Sequence, residues 1–200
     1  MTARPCKIAI AGTHSTGKTT LMGRLEQELS GRGFAPGYVH DSAVSARELG
    51  FPILRDHTFE STAWIMAEAI RLETVASLTA DVILIDRPVP DALGYLVAAL
   101  DVTGRTLEPS RLKCLEAMSA AWVNEYDLIF MTKLDASIPI GPGRDNDEQF
   151  RVAAGLAIAS LLTRIAPSRV IVRAEGADDA LKIAIDTAER HQSGGVTRSR

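Results

Sequence analysis

Cysteine is nearly missing from this chain: Cys6 and Cys114 are the only two. They stand far apart, with no His or Cys near either at metal-ligand spacing. That excludes a disulfide framework and predicts two buried thiols in a reducing compartment. Positive charge is not in excess either, since 22 Lys and Arg face 25 Asp and Glu for a net charge of −3. This weighs against a general nucleic-acid partner, which needs a basic face. No apolar run approaches the ~18 residues of a membrane span. Arg4 and Lys7 precede apolar residues, but that run ends at Gly12, far short of an export signal. The expectation is a cytoplasmic protein with no membrane partner. Internal repeats and domain linkers are also missing. Hydrophobic content of 46% and charged content of 24% are those of a globular domain. Residues 1–192 are expected to form one domain, and the small, polar, basic stretch 193–200 a disordered tail.

What is present is concentrated in Lys7–Leu21, KIAIAGTHSTGKTTL. A short apolar strand leads into Gly12, Thr13, His14, Ser15, Thr16, Gly17, Lys18 and Thr19, followed by Thr20 and a helical pattern. This satisfies G-x-x-x-x-G-K-[ST], the phosphate-binding loop, in its proper strand–loop–helix setting. The glycines let backbone N–H groups converge on phosphate, and the helix N-terminus adds to the attraction. Lys18 is expected to reach the outer phosphates and the Thr19 hydroxyl to hold Mg²⁺.

Apolar periodicity then predicts a helix to about Ser30 and a strand at Gly37–His40. Asp41 follows that strand and precedes a brief helix, so it is both a helix N-cap candidate and a functional carboxylate beyond a strand's carboxyl end. Thr58–Thr79 reads as a long helix with a stripe of Phe59, Ala63, Met66, Ala67, Ile70 and Thr74, broadened by Ile65, Leu72, Val75 and Ala76. A buried core helix, a cleft wall, or a contact with a second subunit in a homodimer all fit that pattern.

Val82–Ile85 is a buried parallel strand by composition. It ends in Asp86-Arg87-Pro88, where the Mg²⁺-shell carboxylate of a phosphate-loop protein belongs and where Arg87 can contact phosphate. Asp91 is the expected N-cap of the next helix. A helix over Pro109–Asn124 leads to a strand at Asp127–Met131. Thr132-Lys133-Leu134-Asp135 then fits [NT]-K-x-D, the guanine-reading motif. The D-x-x-G that should accompany it is missing, because the stretch reads Asp86-Arg87-Pro88-Val89. Residues 135–151, with Arg144 and Arg151, compose a loop that could close over transferred phosphate as a lid. A periodic helix, a strand at Arg169–Arg173 and a last helix complete the chain.

This alternation predicts an α/β fold with a parallel sheet. With AGTHSTGKTTL, Asp41…Arg47, IDRPVPDALGY and GRDNDEQFR, the chain resembles the P-loop nucleoside-kinase-like ATPases, in particular the NadR-type (ribosylnicotinamide kinase) domain and its AAA-like relatives. The likeness spans about residues 5 to 190. It implies a three-layer α/β/α P-loop NTPase fold with a five-stranded sheet in the order 2-3-1-4-5 and a short lid. It also implies γ-phosphate transfer from ATP with Mg²⁺ to a hydroxyl of a nucleoside-like small molecule. Relatives often carry Glu at the position of Asp41. Lys18 would bridge the outer phosphates. Asp86 would hold Mg²⁺ or take the acceptor's proton, with Asp41 the other candidate base. Arg87, Arg144 and Arg151 would neutralise the transferred group. Five aromatics, Tyr38, Phe51, Phe59, Trp64 and Tyr95, are candidates to enclose a planar acceptor. Two rival functions are a nucleotide-dependent regulatory ATPase without a small acceptor, and a kinase acting on a modified base in DNA.

Overall fold

Residues of the first strand serve two layers at once. On β1 (Cys6–Ala11), Ile8 and Ile10 enter the core on one face of the sheet, while Ala9 and Ala11 enter the other. A strand buried on both faces is apolar throughout rather than alternating. The computed structural model describes residues 4–13, 18–132, 147–166, 171–172 and 176–196. Its sheet has five parallel strands in the order β2-β3-β1-β4-β5, the topology implied by the sequence resemblance: β2 (Pro36–Val39), β3 (Val82–Asp86), β4 (Leu128–Met131) and β5 (Ile171–Val172) surround β1.

On one face, α1 (Lys18–Gly31) sets Met22, Leu25 and Leu29 against Ile8, Ile10 and Leu84, next to Ala180, Ala184 and Ala188 of α7 (Ala177–Val196). On the other face lie α3 (Phe59–Ala76), α4 (Val89–Thr103), α5 (Pro109–Trp122) and α6 (Glu148–Ile165), with a short α2 (Ala43–Glu48) after β2. α4 and α6 cross closely because Gly94 has no side chain. A Cβ there would overlap Ile158, whose Cα and backbone N lie 3.0 and 3.1 Å away. Backbone cannot yield as a side chain does, so Gly94→Ala is expected to destabilise the fold by about 1–3 kcal/mol, read as a lower urea midpoint at unchanged m-value.

Several expectations change. α3 ends at Ala76, because Ser77 caps it through bonds to the Glu73 and Thr74 carbonyls. Its buried residues are Ser61, Thr62, Ile65, Met66, Ala69 and Glu73, whereas Ala67, Thr74 and Val75 of the expected stripe are exposed. Packing against α4 and β2, rather than hydropathy alone, selects that face. Cys114 is exposed on α5 while Cys6 is buried, and both are free thiols. α7 continues through Val196, with the Ser193 hydroxyl donating to the Glu189 carbonyl, so the expected tail does not begin at Ser193. α6 begins at Glu148 under the Asp147 cap, so the expected lid segment is helical from Glu148 to Arg151. Residues 133–146, which hold Lys133, Asp135 and Arg144, lie outside the described residues, as do 197–200.

Candidate nucleotide and acceptor site

Register places the site. Ile10 pairs with Asp86 and Ala11 with Met131, so Gly12, Arg87 and Thr132 emerge together at the carboxyl edge of the sheet. In open parallel sheets this edge is where ligands bind. Gly12 turns the chain with φ 127°, and a Cβ on it would collide with the Thr132 hydroxyl, which itself donates to the Ala11 carbonyl at 3.0 Å. Glycine is needed here for both conformation and space. Thr13 is buried, and Thr19 and Thr20 stand exposed in the first turn of α1. His14, Ser15, Thr16 and Gly17, the centre of the motif, lie outside the described residues.

Lys18 opens α1, buried, and its Nζ donates to the Gly12 carbonyl at 3.3 Å and to the Thr13 carbonyl. Burial, with Arg87 nearby, pushes its ammonium down to about 7 against the opposing pull of Asp86, Asp91 and Asp41. Asp86, the last residue of β3, is moved the other way. Burial raises its carboxyl, with Lys18 and Arg87 resisting, and its Oδ1 is buried with no hydrogen-bond partner. An orphaned buried carboxylate oxygen needs a ligand to satisfy it.

Arg87 adopts a left-handed backbone, φ 68°, with its N–H donating to the Ile10 carbonyl. That conformation aims its side chain across β2's end, where Nε meets Asp41 Oδ2 at 2.8 Å. Its guanidinium lies over the Tyr95 ring at 4.8 Å. Asp41 Oδ1 accepts from the Ala43 N–H at 2.9 Å. The carboxylate therefore serves both the start of α2 and the arginine, although Ser42 occupies the N-cap position. Arg151, in the first turn of α6, is 5% exposed, and its Nε has no partner. It lies one turn before Gly155, whose absent Cβ would sit 3.6 Å from Thr13, so that helix face turns toward the phosphate loop.

Asp91 departs from its expected role. Pro88 takes the N-cap position of α4, and the Asp91 side chain instead accepts the Gly12 N–H at 2.9 Å. It is 1% exposed, its other oxygen has no partner, and burial lifts its carboxyl to about 7. An aspartate in a helix's first turn ordinarily reads as a cap, so nothing local in sequence marks it as a brace for the phosphate loop. His57 was equally invisible, being a single histidine in an irregular segment. It is buried and stacks on Tyr95 at 5.7 Å.

A second polar cluster forms at the opposite edge. Cys6, Asp127 and His191 converge there, although no sequence spacing suggested it. Arg4 grips both Asp127 oxygens at 2.9 and 2.7 Å and the Lys7 N–H bonds one of them. The carboxylate is thus committed to tying β1 to β4 rather than to a cation.

A family model described as "AAA domain" matches residues 7–179. No curated protein matches the chain in sequence. Among solved structures, a NadR protein in complex with NAD and AMP-PNP superposes with TM-score 0.64 at 16% identity, over 92% of this chain and 50% of that one. The chain thus spans about half the length of that protein. Thymidylate kinase from Candida albicans superposes with TM-score 0.66 at 16% identity, over 96% of this chain and 94% of the other. Deoxyadenosine kinase from M. mycoides with bound dATP gives 0.64 at 13% identity, over 92% and 99%. These likenesses concern the fold.

Proposed function

The chain belongs to the AAA-domain family, and on that footing we propose that it is an ATP-dependent small-molecule kinase. It transfers the γ-phosphate to a hydroxyl of a nucleoside, nucleotide or related ribosyl compound. The observation that carries this reading is the Asp41–Arg87 pair, 2.8 Å long, set at the sheet edge beside Lys18 and Asp86. A phosphate loop alone needs only a donor site. A carboxylate–guanidinium pair held next to it supplies what an acceptor hydroxyl and a transferring phosphoryl group require. The superposed NadR protein, thymidylate kinase and deoxyadenosine kinase support the same class.

In this mechanism residues 12–20 cradle the triphosphate. Lys18 leaves the loop carbonyls for the β- and γ-phosphates. Thr19 and Asp86 are hard oxygen donors suited to Mg²⁺, and the unpartnered Asp86 Oδ1 fits such a ligand. The metal would supply charge neutralisation across the phosphates. Asp41 receives the acceptor hydroxyl and is the candidate base, while Arg87 and Arg151 face charge on the transferred group; the same role proposed for Arg144 rests on sequence alone, since it lies outside the described residues. Phosphoryl transfer is loose, so positioning and charge neutralisation outweigh early proton removal.

A transfer screen from γ-labelled ATP over nucleosides, nicotinamide riboside and nucleoside monophosphates tests the reading. Labelled product with at least one acceptor is expected. Acceptor-independent hydrolysis alone would favour a regulatory ATPase. Proton linkage gives a second check. Lys18 is depressed to about 7 and Asp91 raised to about 7, and a polyanion raises both. Above pH 7 both groups have largely lost their protons, so ATP binding at pH 8 is expected to take up protons. Calorimetry in buffers of different ionisation enthalpy reads the sign, and net release would contradict it.

A further inference from the structure

Among the described residues only two other than glycine hold a left-handed backbone, Leu54 at φ 60° and Arg87 at φ 68°. Such conformations cost roughly 1–3 kcal/mol each and persist where surrounding structure imposes them, often at functional sites. The two serve one ring. Arg87 covers Tyr95, and His57, which the Leu54 turn holds, stacks on the same ring.

The Leu54 carbonyl accepts the His57 N–H and lies 3.0 Å from His57 Nδ1. A carbonyl can only accept, so Nδ1 carries the proton and Nε2 presents a bare lone pair. No hydrogen bond to Nε2 forms among the described residues, and Nε2 is not one of the fully buried unpaired atoms, so solvent reaches it. Burial holds the imidazole down to about 4, so the ring stays neutral and the tautomer fixed near pH 7. The charged groups acting on it are Arg87, Asp41 and Arg105. Its segment is braced on both sides, by Arg105 donating to the Arg55 carbonyl at 2.6 Å and by Arg55 paired with Asp147 at the head of α6. A histidine only 3% exposed, fixed as an acceptor with its one free lone pair at the opening, offers that atom to a donor that enters beside it.

We propose that His57 is a specificity-determining residue of the acceptor subsite, its Nε2 accepting a hydrogen bond from a neutral donor group on the acceptor, a sugar hydroxyl or a base amine. This deepens the kinase reading and rests on it. The Tyr95 and His57 rings form the wall, and Asp41 with Arg87 holds the reacting end. An acceptor lacking that donor covers the lone pair, displacing its water without replacing the bond, which disfavours it by about 10–100-fold in kcat/KM.

The test uses the full chain, ATP with Mg²⁺, and the best acceptor of the screen beside its analogues. These are deoxy or O-methyl at each sugar position and dimethylated at the base amine. Wild type is expected to lose 10–100-fold with one of these analogues, whose identity tells sugar from base. His57→Phe keeps the stack and removes the acceptor atom. It is expected to lower the parent compound to that analogue's level with an unchanged KM for ATP, and His57→Gln, with an acceptor oxygen, to recover part of the difference. A His57→Phe enzyme that discriminates as wild type does, or whose KM for ATP rises in parallel, overturns the proposal while leaving the kinase reading intact. So does a wild type indifferent to every analogue, a result that needs no folded variant. A wild type that transfers to no acceptor overturns both readings.

Discussion

Lys18→Ala is expected to lower phosphoryl transfer by roughly 10³-fold or more, about 4 kcal/mol of transition-state stabilisation, while leaving the apo protein at least as stable as wild type. The two halves of this expectation have one cause. Lys18 is a buried cation whose ammonium is held down to about 7 by burial and by Arg87. Its Nζ donates to the Gly12 and Thr13 carbonyls, and burial disfavours its charged form. Its charge becomes favourable only when phosphate oxygens arrive, so truncation removes an unfavourable burial from the apo state and a favourable contact from the transition state. Stability and function trade in this way at many sites. Asp86→Asn is expected to behave similarly, because a neutral amide replaces a buried carboxylate whose Oδ1 has no partner, while losing the charge proposed to hold Mg²⁺. A thermal melt beside single-turnover transfer checks both. Near-normal transfer in either variant would remove the kinase assignment, and a large loss of melting temperature would reassign the residue to structure.

The legible part of this molecule was its sheet and the carboxyl edge of it. Buried parallel strands announce themselves as unbroken apolar runs, and the glycine loop after β1 is local in sequence, so Ile8–Ala11, Val82–Ile85 and the residues that follow each could be placed from pattern alone. Asp41 and Arg87 were legible as positions, but their 2.8 Å pairing depends on the parallel alignment of β2 with β3 and on a left-handed Arg87 that no propensity foretells. Asp91 was misread because first-turn aspartates look alike whether they cap their own helix or reach across to another element's N–H. His57 was missed for want of any period or motif in its segment. The α3 stripe was misplaced because three of its buried positions are polar, Ser61, Thr62 and Glu73. Hydropathy assigns such residues to solvent; Ser61 is satisfied by Thr58 and Glu73 by Lys7, Trp122 and Tyr126, whereas the Thr62 hydroxyl is buried without a partner.

Glu73 shows what those partners contribute, and Glu73→Ala is expected to destabilise the protein by about 3–5 kcal/mol, a large share of an ordinary domain's stability. Its carboxylate is completely buried, 3.1 Å from Lys7 Nζ, and receives the Trp122 indole N–H and the Tyr126 hydroxyl at 2.8 Å each. Burial raises its carboxyl, and Lys7, Trp122 and Tyr126 pull it back. Truncation strands a lysine that is itself buried, its ammonium 4.7 Å over the Trp122 ring, and leaves two donors unsatisfied. Removing both charges together, in Lys7→Met with Glu73→Leu, leaves no unpaired ion, so the double variant is expected to be more stable than Glu73→Ala despite the extra substitution. A double-mutant cycle by urea unfolding measures this, and additive losses would contradict it. The damage should also reach the site. The Val89 N–H donates to the Tyr126 hydroxyl at 2.9 Å, which fixes the first residue of α4 between Arg87 and Asp91. Where Tyr126 loses Glu73, that anchor loosens, so the double variant is expected to regain stability while KM for both substrates stays above the wild-type value.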